Sequence, residues 1–269
     1  MKKIAFCYLI YDIINQEELW NNFFKNINKD KYNIYIHYKT NKELKYFNKY
    51  KLNNCINTNY TDQTIIHAYN ILFKTAYELD NDNYKFIIIS QSCIPLKSFD
   101  YIYDHLTKDN KGYFNECPVI QCYPNCNNLL NYIDKQYISK SHNWFILNRE
   151  LILYLAYIEH DIIDILYNDI YAPAEYFYYT FIKKNNMENH ICITNNLSID
   201  ATTFTYWKGM DYVFDDITLN GLKNYSNINL IELEYLLNSK SLFGRKFEYN
   251  CKINNSNENF ELFISNIIN

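Results

Sequence analysis

Glycine and proline are scarce in this chain of 269 residues, which contains only four of each. The sequence has no proline-, glycine- or serine-rich stretch that would mark a linker, and it has no internal repeat. A chain of this length can form one large α/β domain or two small ones. Without a linker, the expected organisation is one domain over residues 1–269.

Long apolar runs are also missing, since no stretch approaches the roughly 20 apolar residues of a membrane-spanning helix. The first residues, MKKIAFCYLIYDII, carry basic residues before an apolar run. That run is short, is interrupted by Asp12 and lacks a small-residue cleavage site, so it does not fit a signal peptide. We therefore expect a buried first strand and a soluble, cytoplasmic protein.

An excess of positive charge is absent, because 26 Lys and Arg face 30 Asp and Glu, for a net charge of -4. Nucleic-acid-binding proteins usually carry a basic patch, so no nucleic-acid partner is expected and any phosphate contact should be local. Hydrophobic residues make up 48% of the chain, which is enough for a sizeable core. The oligomeric state stays open.

Eight cysteines are present, and without a signal sequence they are expected to be mostly reduced, buried thiols. Four disulfides in a secreted protein are the alternative. Cys117, Cys122 and Cys126 form the one cluster that could hold zinc, although its spacing lacks the usual CxxC pair.

Strands and helices alternate in the first half of the chain. Strands are predicted at 3–10, 32–37 and 84–89, and helices at about 16–27 and 62–79. This alternation predicts an α/β fold with a mostly parallel central sheet and helices on both faces. Ligands bind such sheets at the carboxyl ends of the strands, so the loops after Ile10, His37 and Ile89 are the first places to look for a nucleotide.

The second half is less regular. The predicted elements are a strand at 143–147, helices from Arg149 and near Pro173, strands near 190–193 and 203–207, and helices near 229–239 and 257–268.

Four segments, in order, carry a family resemblance. They are IAFCYLIYD with IYIHYK, then SQSCIPLKSFDYI (90–102), then SHNWFILNRE (141–150) with APAEYFYYT (172–180), and finally SLFGRKFE (241–248). Together they resemble the core-2/I-branching β-1,6-N-acetylglucosaminyltransferase family, which includes protein O-xylosyltransferases.

The resemblance implies a GT-A-like fold and an inverting, metal-independent glycosyltransferase. The donor would be a UDP-sugar, with N-acetylglucosamine or xylose favoured, and the acceptor a hydroxyl of a glycan or glycoprotein. About 1–110 would form the nucleotide side, and about 111–269 the acceptor and catalytic half. Many GT-A enzymes hold a metal with Asp-x-Asp at a strand end, whereas here Ser90-Gln91-Ser92-Cys93 offers no carboxylate for a hard dication. No cofactor is therefore expected.

Inverting transfer requires a general base and a group that stabilises the departing diphosphate. The resemblance assigns the base to Glu175, at the start of a predicted helix, although the family's preceding Asp is Ala174 here. A first-turn Glu that only complements the helix dipole is the alternative. The resemblance assigns the diphosphate to Lys246, with Arg245 beside it and Lys223 at the family's second position. A solvated basic cluster is the alternative for these cations.

The remaining candidate residues belong to the two substrates. Asp12, His37 and Ser90 follow predicted strands and are assigned to the nucleoside side. Trp207 resembles an acceptor-contacting tryptophan of the family, and a core position is the alternative. In the same way, Trp144 is expected in the core and Asp62 could serve only as a helix cap.

Two other functions stay open at this stage. A catalytically inactive protein of the same fold would bind glycans or nucleotide-sugars without turnover. An unrelated doubly wound protein would place Glu175 and Lys246 far apart.

Overall fold

A computed structural model describes residues 1–118, 126–194, 201–207, 214 and 221–268. In chain order, the strands are β1 (Lys3–Ile10), β2 (Tyr32–Tyr38), β3 (Asn83–Ser90), β4 (Ile94–Pro95), β5 (Gly112–Asn115), β6 (Ile146–Asn148), β7 (Ile191–Thr194), β8 (Thr203–Thr205), β9 (Tyr225–Ile228), β10 (Phe243–Arg245) and β11 (Phe247–Ile253). The helices are α1 (Glu17–Phe24), α2 (Thr64–Leu79), α3 (Phe99–Thr107), α4 (Arg149–Leu155), α5 (His160–Tyr167), α6 (Ala174–Lys184), α7 (Leu230–Asn238) and α8 (Phe260–Ile268).

The central sheet has the order β2-β1-β3-β6-β5-β7. Strands β2, β1 and β3 are parallel to one another, and β5 is parallel to β7. Strand β6 is antiparallel to both of its neighbours, which makes the sheet mixed. The predicted α/β class with a mostly parallel central sheet is confirmed.

Strand β1 explains why helices cover both faces of the sheet. Successive side chains of a strand point to opposite faces. Ile4, Phe6 and Tyr8 join the core on the side of α1, α3, α7 and α8. Ala5 and Cys7 join the core on the side of α2, α4, α5 and α6. A strand buried on both faces reads as a nearly continuous apolar run, as the segment IAFCYLI after Lys3 does.

A second, smaller sheet joins the end of the chain to its first half. Its order is β4-β10-β8, with β10 antiparallel to β4 and parallel to β8. Just beyond β10, the Phe247 amide donates a hydrogen bond of 2.9 Å to the Ser92 carbonyl. This pairing places the segment after β10 beside the carboxyl end of β3.

No helix in the described part of the chain is long and apolar enough to cross a bilayer. The longest of them, α2, has 16 residues. The compartment stays a prediction.

Gly112 in β5 has no room for a side chain. A Cβ at this position would lie 2.8 Å from the Ile146 carbonyl oxygen and 2.9 Å from Leu151 Cδ1. Since the nearest obstacle is backbone, Gly112→Ala should lower the free energy of unfolding by about 1–3 kcal/mol. Urea denaturation measures this change.

The control is Lys111→Ala at the exposed neighbouring position, which should stay within about 0.5 kcal/mol of the parent. Equal stabilities of the Gly112→Ala variant and the parent would contradict the packing of β5 against β6.

Candidate active site

A cleft of about 270 Å³ opens at the carboxyl ends of β1 and β3. Four stretches of chain line it: the end of β1 with the loop after it, the end of β3, the residue before β9, and the junction of β10 with β11. The lining residues are Leu9, Asn15, Ser90, Gln91, Ser92, Asn224, Arg245, Lys246, Phe247 and Glu248. The loops after β1 and β3 thus reach the cleft, as the sheet topology predicts.

Arg245 is a cation buried at the wall of this cleft. Only 8% of its surface is exposed, and its guanidinium lies 3.9 Å from the centroid of the Trp144 ring. Among the described residues no carboxylate lies within 4 Å of it, and its buried Nε has no hydrogen-bond partner. A buried charge is costly unless it is paired. Arg245 is therefore placed to receive an anion in the cleft.

Lys246 adds a second positive charge beside Arg245. Its side chain is half-buried, and burial together with the neighbouring Arg245 lowers the pKa of its ammonium group. The two adjacent positive charges repel each other, and an anion bound between them would offset that repulsion. The pair therefore suits a multiply charged anion.

Glu175 is fixed by its backbone at the start of α6. The Ser141 amide donates to the Glu175 carbonyl at 2.7 Å, and the Glu175 amide donates to the Ala172 carbonyl at 3.0 Å. Ala172 has a left-handed φ of 53°, and its own amide donates to the Thr61 carbonyl at 3.0 Å. Non-glycine residues in this region are held there by their surroundings. The loop that presents Glu175 is thus determined by three separate segments.

The carboxylate of Glu175 lies in a partly dry environment. Its side chain is 23% exposed, and Lys140 Nζ is 3.1 Å from its Oε2. Burial raises the pKa of Glu175 above its ordinary value, while the charges of Lys140 and Arg245 lower it without cancelling the rise. A carboxylate with a raised pKa accepts a proton more readily than an ordinary Glu.

Glu175 is not among the residues that line the cleft, but it lies near one of the two cations. Arg245 and Glu175 are close enough that the charge of each affects the pKa of the other. Lys246 is the neighbour of Arg245 and lines the same cleft. The arrangement argues against an unrelated fold in which Glu175 and Lys246 lie far apart.

The family model of the core-2/I-branching enzymes matches residues 4–226 of the chain. The chain belongs to the core-2/I-branching enzyme family. The matched range includes Glu175 and Lys140 and ends before Arg245 and Lys246. Family membership and the mostly parallel α/β sheet agree with the GT-A-like fold predicted from the sequence.

Glycosyltransferase BC10 of Oryza sativa subsp. japonica is 23% identical over 119 residues. The match covers 41% of this chain and 29% of that relative, so the chain corresponds to less than a third of its length.

Two solved structures are similar at low identity. The galactosyltransferase LgtC with donor and acceptor sugar analogues has 8% identity and a TM-score of 0.45, over 89% of this chain and 86% of its own. The bifunctional glycosyltransferase WbbM has 11% identity and a TM-score of 0.46, over 91% and 46%.

Lys223, the second cation that the family resemblance assigns to the diphosphate, lies in a buried ion pair. Its Nζ is 2.8 Å from Glu232 Oε1, and the Tyr225 hydroxyl donates to the same oxygen at 3.0 Å. The Asn229 side chain caps α7 and so fixes Glu232 in the first turn of that helix. Lys223 is not among the residues that line the cleft, whereas its neighbour Asn224 is.

The three residues assigned to the nucleoside side are placed differently from one another. Ser90 lines the cleft at the end of β3. Asp12 Oδ2 lies 3.7 Å from Lys42 Nζ, and Asp12 is not among the lining residues. His37 is fully buried, its Nε2 accepts from the Ile56 amide, and burial lowers its pKa to about 4. His37 therefore packs inside the fold instead of facing the cleft.

Trp207 is 41% exposed and is bridged to Leu222, so it is not a core residue. Trp144 is partly buried and packs against both core clusters, and the Arg245 guanidinium lies over its ring. Asp62 is not the N-cap of α2, which is Gln63, but it lies one residue earlier and accepts a hydrogen bond of 2.9 Å from the Thr64 amide.

Sequence reasoning missed Lys140 and His142 as neighbours of the site. Both belong to or adjoin SHNWFILNRE, a segment that the family resemblance had already singled out. Cys122 of the cysteine cluster lies outside the described residues. Within the described ranges no group of three or more His, Cys, Asp or Glu is arranged to hold a metal ion.

The unpaired charge of Arg245 predicts opposite effects on stability with and without ligand. Arg245→Met removes a buried charge, so the ligand-free variant should melt at the same temperature as the parent or higher. It should also lose most of the rise in melting temperature that saturating UDP gives the parent, because binding to the native state is weakened. Thermal unfolding with and without UDP measures both effects.

Lys252→Met, which removes an exposed cation from β11, is the control and should keep the full UDP effect. An undiminished UDP effect in the Arg245→Met variant would exclude Arg245 from the anion site.

Proposed function

We propose that this chain is an inverting, metal-independent glycosyltransferase that transfers a sugar from a UDP-sugar to a hydroxyl of a glycan or glycoprotein. The single observation that carries the proposal is the unpaired guanidinium of Arg245. Arg245 lines the cleft, where a diphosphate would lie beside Lys246, and its charge also acts on Glu175, the proposed base. Membership in the core-2/I-branching enzyme family supports the same reaction.

In this mechanism Glu175 removes the proton from the acceptor hydroxyl as its oxygen attacks the anomeric carbon. A new carbon–oxygen bond forms on one face of the sugar while the bond to the β-phosphate breaks on the other, which inverts the anomeric centre. The proton ends on Glu175 and the electron pair leaves with UDP. The raised pKa of Glu175 favours the first of these events.

The departing diphosphate gains negative charge, and the site must stabilise it. Arg245 offers several fixed donors and Lys246 a point charge. We assign this role to these two residues, because Lys223 is already held by Glu232. The donor groups at the end of β3 are the hydroxyls of Ser90 and Ser92 and the thiol of Cys93, which suit a hard dication poorly.

The donor sugar is proposed from the family resemblance alone, as N-acetylglucosamine or xylose. An inactive protein that only binds nucleotide-sugars is the rival, since Ala174 replaces the family's Asp. The two differ in turnover: the rival is stabilised by a UDP-sugar but forms no product with any acceptor. A thermal-shift screen of UDP-, GDP- and dTDP-sugars, followed by transfer assays with the best donor, separates them.

Glu175→Gln tests the base directly. The variant keeps the size of the side chain but cannot take a proton, so kcat should fall by roughly 10²–10⁴. UDP affinity, measured by calorimetry, should stay close to that of the parent because Glu175 does not contact the diphosphate in this mechanism.

Glu188→Gln, at an exposed position beyond the end of α6, is the matched control and should leave kcat unchanged. A Glu175→Gln variant with the parental kcat, under conditions where chemistry limits the rate, would show that another group is the base.

Metal removal tests the role given to the cations. Turnover should persist within about twofold after treatment with EDTA, because Arg245 and Lys246 supply the charge that a metal would otherwise provide. The assay compares initial rates before chelation, after it, and after addition of Mn²⁺. A loss of turnover that Mn²⁺ restores would refute metal independence.

A further inference from the structure

Glu175 makes one ion pair in the described part of the chain, and its partner comes from a different element. Lys140 Nζ lies 3.1 Å from Glu175 Oε2, and both side chains are about one-fifth exposed, at 19% and 23%. Lys140 stands in the loop before β6, whereas Glu175 stands on α6. The Ser141 amide, next along the chain from Lys140, donates to the Glu175 carbonyl, so the backbones of the two elements are joined as well.

Three charged or titratable groups interact with Glu175, and they come from three elements. They are Lys140 from the loop before β6, Tyr69 from α2 and Arg245 from β10. His142 follows Lys140 in the same loop and interacts with the two cations. Burial and the charges of Arg245 and Lys140 lower the pKa of His142 to about 4, so its ring is neutral near pH 7. Burial raises the pKa of Tyr69 well above neutrality, so its phenol is neutral too. The charges acting on Glu175 are therefore those of Lys140 and Arg245.

A bound diphosphate would affect the charges of Arg245 and Lys140 differently during the proposed reaction. Arg245 lines the cleft, so a bound diphosphate would offset its charge. Lys140 is not among the lining residues, and its partner is Glu175 itself. With donor bound, Lys140 becomes the principal positive charge near the base.

The geometry of the carboxylate adds a second constraint. Lys140 contacts Oε2, while Oε1 has no hydrogen-bond partner among the described residues. One oxygen is thus held and the other is available to an incoming hydroxyl.

We propose that Lys140 is a positioning residue for Glu175, which holds one carboxylate oxygen, keeps the group ionised and leaves the second oxygen open to the acceptor. This inference rests on the proposed function. Lys140 touches neither substrate in this scheme and acts only through Glu175.

Lys140→Met and Lys140→Arg test the proposal in the pH profile of kcat with saturating donor. Loss of a positive charge at 3.1 Å raises the pKa of a carboxyl group. In the Met variant the acidic limb of the profile should therefore move by about one pH unit toward neutral, a roughly tenfold loss of rate on that limb. The Arg variant should keep the parental limb.

The matched control is Lys183→Met. Lys183 stands on the same helix as Glu175 and contacts the same loop, with its Nζ 2.8 Å from Ser139 Oγ, but makes no contact with Glu175. A purely structural role for Lys140 would lower stability without moving the acidic limb, as the control is expected to do. An unmoved limb in a folded Lys140→Met variant would overturn the proposal.

A carboxyl ¹³C NMR titration separates this inference from the proposed function. The Glu175 resonance, assigned by its absence in the Glu175→Gln variant, should titrate at higher pH in the Lys140→Met protein than in the parent, whether or not transfer occurs. Absence of transfer with every donor and acceptor, together with this shift, would refute only the function. Unchanged Glu175 titration would refute the role of Lys140. If Lys140→Met fails to fold, Lys140→Gln replaces it in both measurements.

Discussion

The burial of one unpaired guanidinium is the constraint on which the candidate site depends. Arg245 can be buried because β10 is held between β4 and β8 and because the Trp144 ring covers one face of the charge. Removing a cation from water without a counter-ion costs free energy that the rest of the fold must offset. The hydrophobic cores on the two faces of the sheet offset this cost. The charge of Arg245 therefore stays available to a ligand.

Two opposing effects, burial and nearby positive charge, set the pKa of Glu175. Burial alone would raise the pKa of its carboxyl group further, and a fully compensated charge would leave it a weak base. The environment lies between these limits, because desolvation outweighs the nearby cations without eliminating their effect. Three segments that converge on the start of α6 keep the carboxylate in this position.

Long and strongly patterned elements were predictable from the sequence, and short ones were not. Four elements lie within a few residues of their predicted bounds: strands β1, β2 and β3 and helix α2. In each of them the apolar residues form a long and regular pattern. Strands β4 and β10 have only two and three residues, too few for any period, yet they bring Arg245 to the cleft. The side chain of Lys223 was unpredictable for another reason, because its position depends on the turn that brings Glu232, in the first turn of α7, back beside it. His37 lies within β2 instead of after it, and only the packing reveals that its ring is buried.

The pairing of β10 with β4 has a consequence for the order in which the molecule acquires its parts during synthesis. About 150 residues separate the two strands, a loop that can close only late. While residues 243–248 are still inside the ribosome, the emerging chain can already form the six-stranded sheet and present Glu175, but it lacks both cations. Under the proposed function, a nascent chain would then lack the residues assigned to the diphosphate until this last segment pairs with β4.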